Sequence, residues 1–105
     1  MSFNINNVIN DMVSVMKNSV ESDAEDISGY AQQVLQGEKE TLQELAELRL
    51  NGQITDEELK SELQDEKDTV EAQMLALVVM NKAMIQKAAN AAMDVLFKAV
   101  KTALG

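Results

Sequence analysis

Residues 47–59, ELRLNGQITDEEL, contain the strongest helix-stop signal in the chain. Asn51 and Gly52 are residues typical of the end of a helix. Thr55 and Glu58 then have the spacing of a capping box, in which each side chain accepts a hydrogen bond from the other residue's backbone amide. We therefore predict a turn at residues 51–54, with Asn51, Gly52, Thr55 and Glu58 as its turn and cap residues.

Apolar residues recur at steps of three or four on both sides of this turn, as in amphipathic helices. Proline, which would interrupt a helix, is absent from the 105 residues. The pattern predicts an all-α fold in one domain, residues 1–105, with helix 1 at about 4–50 and helix 2 at about 55–104. These two helices would form a long antiparallel hairpin of roughly 70 Å.

Helix 1 contains one segment with poor helix propensity, at residues 21–29. Ser22, Asp23 and Ser28 are unfavourable inside a helix, and Gly29 costs about 1 kcal/mol there. The sequence leaves open whether helix 1 is continuous, kinked or broken here. If it breaks, we expect Ser22 or Asp23 to become the N-cap of a further helix.

The charge of the chain is concentrated in its middle. The formal net charge is -9, but residues 21–71 carry -12 and residues 72–105 carry +3. An acidic surface repels phosphate backbones, so binding to nucleic acid is disfavoured. We expect most of these charges to lie on solvated helix faces.

The composition lacks the usual groups of enzyme active sites. The absence of His and Cys excludes the common zinc, haem and iron–sulfur ligand sets, together with His-based and thiol catalysis. No glycine-rich phosphate loop or nucleophile elbow occurs. We therefore predict a non-enzymatic protein without catalytic, cofactor-binding or metal-binding residues, and without a cofactor.

The last third of the chain is too apolar for a two-helix contact. From Ala72 to Gly105, 23 of 34 residues are apolar, whereas a hairpin seam needs only a narrow stripe. We predict that two hairpins pair their terminal halves into a four-helix bundle or a larger helical oligomer, with a homodimer favoured. A separate protein partner is a further interpretation. The predicted interface residues are Met12, Met16, Met84, Ile85, Leu96 and Val100. Asn81 and Asn90, beside the same face, are candidates for fixing the register.

A second function class follows from the same apolar helix. Its lysines, Lys82, Lys87, Lys98 and Lys101, would draw it to an anionic membrane surface, which predicts a membrane-active or secreted hairpin protein as the alternative. No apolar run is long enough for a transmembrane helix, and residues 1–20 lack the pattern of a cleavable signal. We expect a cytoplasmic protein, with secretion without a cleavable signal as an open alternative.

The segment Leu45 to Leu59 resembles the short helical hairpins called SHOCT-type domains, which have a Leu-rich helix, a Gly-x-Ile-Thr-x-Glu-Glu turn and a second helix. This resemblance covers about a seventh of the chain; it implies a bacterial or phage source and oligomerisation. In size and outline the chain is also similar to small helical-hairpin secretion substrates with a Trp-x-Gly turn. Here Leu50-Asn51-Gly52 occupies that place, and the chain has no Trp.

Overall fold

The computed structural model describes residues 3–20, 27–78 and 81–105. These residues form five α-helices and no strand: α1 (Ile5–Ser19), α2 (Ser28–Gly37), α3 (Lys39–Leu50), α4 (Asp56–Leu77) and α5 (Lys82–Leu104). The prediction of an all-α fold is thus confirmed for the described part of the chain.

The turn between α3 and α4 is built from the residues that the sequence indicated. The Gln53 amide donates to the Leu48 carbonyl at 2.8 Å and the Gly52 amide donates to the Arg49 carbonyl at 3.1 Å, the two bonds of a Schellman motif. Gly52 has a φ of +76°. At the start of α4, the Glu58 amide donates to Thr55 Oγ1 and the Thr55 amide donates to Glu58 Oε1, which completes the capping box.

Helix 1 is not continuous from 4 to 50, because α1 ends at Ser19 and α2 begins at Ser28. Val20 has extended backbone angles, so the helix stops there. The predicted N-caps Ser22 and Asp23 lie outside the described residues. A second, one-residue interruption occurs at Glu38, between α2 and α3. The region expected as helix 1 is therefore divided into three helices: the first division falls at the segment where the sequence left a break open, and the second, at Glu38, was not predicted.

Helix 2 is also divided, which the sequence analysis did not predict. The helix α4 ends at Leu77, Val78 is extended, and the Asn81 side chain caps α5 by accepting a hydrogen bond from the Ala83 amide at 2.8 Å. The Asn81 side chain is exposed. Asn81 therefore acts as a helix cap, whereas we had considered it a candidate for fixing the register.

The breaks allow the helices of one chain to cover each other's apolar faces. The helix α5 packs mainly against α1 and α4, and also contacts α3. The molecule measures 42 × 23 × 20 Å, shorter than the roughly 70 Å hairpin. The core is aliphatic and rich in Met and Ala; its largest fully buried side chains are Ile9, Met12, Met16, Ile27, Leu35, Leu42, Leu59, Val70, Met74, Ile85, Leu96 and Val100.

Candidate functional site

A groove between α4 and α5 is the candidate functional site. It has a volume of about 280 Å³. Two turns of each helix form its walls, with Lys60, Leu63, Gln64 and Lys67 on α4 and Asn90, Met93, Asp94 and Phe97 on α5. We call this site the α4–α5 groove.

The antiparallel packing of α4 and α5 brings these side chains together. Lys60 lies opposite Phe97, and one turn earlier on α4 Asp56 lies opposite Lys101. Leu63 and Met93 are almost fully buried and form the floor. Because both walls are regular helices, we expect the groove to keep its shape without a ligand.

Two ammonium groups lie close to the ring of Phe97. The Nζ atom of Lys60 lies 5.1 Å from the ring centroid and that of Lys101 lies 5.7 Å from it, both within cation–π distance. The Phe97 side chain is half-buried. An aromatic ring close to two ammonium groups gives this end of the groove an apolar surface next to positive charge.

Asp56 forms salt bridges with two basic residues near this end of the groove, Arg49 and Lys101. Arg49 Nε donates to Asp56 Oδ1 at 2.7 Å, and Lys101 Nζ lies 3.4 Å from Asp56 Oδ2. The Arg49 hydrogen bond, aided by Lys101, lowers the pKa of the Asp56 carboxyl. Asp56 therefore stays ionised in mildly acidic solution and links the α3–α4 turn to the end of α5.

A carboxylate cluster occupies a different part of the surface, where the α2–α3 joint meets α4. The Oε2 atom of Glu66 is buried and has no hydrogen-bond partner among the described residues. Its neighbour Glu38 accepts a hydrogen bond of 3.5 Å from Gln73. Burial raises the pKa of the Glu66 carboxyl above its ordinary value of 4.5, and the negative charges of Glu38, Asp65 and Glu62 raise it further.

The substitution Glu66→Gln should stabilise the protein at pH 7 by up to about 1 kcal/mol, a value reduced for the partial exposure of this side chain. A carboxyl with a raised pKa in the folded state opposes folding when ionised, and this cost disappears as the pH falls towards 4.5, the ordinary value. Urea unfolding at pH 7 and pH 4.5 measures both effects. The control is Glu44→Gln, at an exposed position in α3, for which we expect little change in the free energy of unfolding. Equal gains at both pH values would contradict the prediction.

A second, shallower groove lies between the start of α1 and the end of α5. Its walls are Phe3, Asn4, Asn7, Val8 and Asp11 on one side and Ala99, Thr102 and Ala103 on the other. Asp11 is its one charged lining residue. Its other lining groups are two amides, a hydroxyl and apolar side chains, and it contains no cation, so this groove has fewer features that would select a ligand.

The predicted interface residues lie mostly inside the chain's own core. Five of the six have no exposed surface, and Met84 is partly exposed. The five buried residues are Met12, Met16, Ile85, Leu96 and Val100. In this fold α1 and α4 cover the apolar face of α5, so these side chains are not a surface that a second folded copy could contact.

The sequence analysis did not identify the α4–α5 groove. Asn90 was singled out, but its exposed side chain lines the groove and does not enter the core. A usable signal was present, since Lys60 and Lys67 are seven residues apart and hence on one helix face. It could not be interpreted without knowing that α4 ends at Leu77 and that α5 folds back against it, which places Phe97 opposite Lys60.

The described residues contain neither a cluster of metal-ligating side chains nor a membrane-spanning helix. No group of three or more acidic, His or Cys side chains is arranged to hold a metal ion in residues 3–20, 27–78 and 81–105. Within the same ranges, no helix has both the length and the apolar character needed to cross a bilayer.

Comparison with known proteins gave no match: no family model, curated protein or solved structure is similar to this chain at a significant level. The α4–α5 groove is therefore interpreted from its own geometry and chemistry.

Proposed function

We propose that this chain is a non-enzymatic protein-interaction module that presents the α4–α5 groove to a partner. The observation that carries the proposal is the composition of the groove. A floor of Leu63, Met93 and Phe97 lies beside the exposed lysine Lys60 in a chain whose acidic residues outnumber its basic ones two to one. An apolar floor with charges at its edge is typical of protein-binding grooves.

Self-association is part of the same proposal, but it would use exposed residues and not the buried ones among the predicted interface residues. A homo-oligomer formed by folded chains would use exposed surface, such as the α4–α5 groove or the groove beside α1. Contact through Met12 or Ile85 would require exchange of helices between copies, since both side chains are fully buried.

The membrane-surface alternative receives less support from the fold. It required the apolar face of the last helix to be available to lipid. That face packs against α1, α3 and α4, and on α5 itself Leu104 is the large apolar side chain that is most exposed. We therefore favour a protein partner.

A photocrosslinking amino acid at position 64, on the wall of the α4–α5 groove, tests the proposal in cells that make the protein. The exposed Gln33 in α2 is the matched control position, because it is also a glutamine on a helix surface and does not line the groove. We expect a discrete crosslinked product from position 64 and not from position 33. A product at twice the 11.5 kDa chain mass would identify a second copy as the partner. No product, or the same products from both positions, would contradict the proposal.

A further inference from the structure

The two lysines that line the α4–α5 groove, Lys60 and Lys67, and the nearby Lys101 differ in whether they have an acidic partner. Lys101 is paired with Asp56 at 3.4 Å and Lys67 with Asp68 at 3.4 Å. Lys60 forms no salt bridge with any residue in the described ranges; its Nζ atom faces the Phe97 ring at 5.1 Å. Of the two ammonium groups in the groove, that of Lys60 therefore has no anionic partner among the described residues, and it lies beside the apolar floor.

The acid on the opposite wall does not neutralise this charge. Asp94 lines the groove, but its Oδ2 atom is held by Lys98 at 2.8 Å, one turn further along α5. Of the eight lining residues, two are lysines and one is an aspartate. The groove is thus locally cationic within a chain of net charge -9.

We propose, on the basis of the function proposed above, that the α4–α5 groove binds an acidic amphipathic helix of a partner protein. Lys60 and Lys67 are seven residues apart on α4, which is two helical turns or about 10.5 Å. A ligand helix that lies along the groove would place one acidic residue, at position i, opposite the unpaired Lys60. A second, at i+7, would lie opposite Lys67 and replace the exposed carboxylate of Asp68 as its partner. Leu residues at i+3 and i+4 of that helix would then contact Met93 and Phe97 between the two charges.

A second copy of this chain fits the groove less well. The chain has an acidic helix face of its own, formed by Glu40, Glu44 and Glu47 on α3. The apolar residues between them, Leu42 and Leu45, are buried in the core and cannot reach the floor of another groove. A two-fold dimer through the groove would also bring the lysines of both copies together.

Three synthetic helical peptides test the identity of the ligand. The first has Glu at i and i+7 with Leu at i+3 and i+4; the second has Lys in place of Glu; the third keeps Glu but has Ser in place of Leu. Each is titrated into the isotope-labelled full chain while backbone amide shifts are recorded. We expect saturable shifts at residues 60–67 and 90–97 with the first peptide and none with the other two.

Charge reversal in the groove checks the contact. The double variant Lys60→Glu, Lys67→Glu should weaken binding of the first peptide about tenfold, from the loss of two surface ion pairs and their replacement by repulsion. Lys82→Glu, an exposed position at the start of α5 outside the groove, is the control and should leave binding unchanged. Circular dichroism melting confirms that each variant is folded, and Lys60→Ala provides a milder change if the double variant is not.

Several results would overturn the inference. Shifts outside the groove, equal binding of the acidic and basic peptides, or full binding by the double variant would each do so. Saturation of the same amides by a single-stranded oligonucleotide, without binding of the acidic peptide, would assign the lysines to phosphate. If position 64 crosslinks to a partner but the acidic peptide does not bind, the groove is an interaction site for a different class of segment. If both experiments fail, the proposed function fails as well.

Discussion

Replacement of Ile85 by alanine is expected to lower the free energy of unfolding by about 2 to 5 kcal/mol. The Ile85 side chain has 0% exposed surface and belongs to the core of the single chain. Its truncation leaves a cavity that neighbouring side chains fill only in part. The loss is a large share of the roughly 5 to 15 kcal/mol that stabilises a typical domain, so the melting temperature should fall markedly.

Urea unfolding and light scattering over a concentration series measure this effect and its origin. Leu104→Ala, in the same helix and 42% exposed, is the control and should cost much less. If Ile85 belongs to the core of one chain, the Ile85→Ala variant keeps the molecular mass of the wild type and loses stability at every concentration. A lower mass with unchanged stability would instead show that Ile85 holds two chains together, as the sequence alone predicted.

The substitution Gly52→Ala should cost about 1 to 2 kcal/mol. Gly52 has a φ of +76°, a conformation in which a Cβ atom approaches the following carbonyl. No heavy atom lies within 4 Å of the place where that Cβ would be, so the cost comes from the backbone and not from a collision with the core. The α3–α4 turn would have to distort or strain.

Gly29→Ala provides a matched control for this prediction. Gly29 lies in α2, its φ is not positive, and the added Cβ also meets nothing within 4 Å. Alanine favours the helix, so this variant should be more stable than the wild type, by about 0.5 kcal/mol. Chemical denaturation of the two variants should therefore show shifts of opposite sign. Equal shifts would mean that the backbone conformation at Gly52 does not control the stability of the turn.

The sequence predicted those parts of the fold that depend on residues close together in the chain. Helical spacing of apolar residues indicated an all-α chain, and the segment from Asn51 to Glu58 indicated the turn and its cap. A capping box and a glycine of positive φ depend on atoms within about six residues. The segment 21–29 was recognised as a weak part of helix 1, and α1 ends just before it.

The end of α4 at Leu77 and the start of α5 at Lys82 lacked a comparable local signal. Residues Met74 to Met80 are uninterruptedly apolar, and Asn81 was interpreted as a possible register residue and not as a cap. The excess apolar surface after Ala72 was noticed and assigned to a second chain. In the structure α1 and α4 of the same chain cover the apolar face of α5, which carries most of that surface. The α4–α5 groove depends on this break and was therefore missed.

Residue spacing and capping chemistry thus predicted the helices, the α3–α4 turn, and more apolar surface than a two-helix contact can bury. Only tertiary packing decided which segments bury this apolar surface, because the choice depends on the total apolar area that distant segments remove from water. That area is a property of the whole chain, and it outweighs the small helix propensity lost when a long amphipathic helix breaks. The proximity of Phe97 to Lys60 and Lys101 is a consequence of that long-range packing.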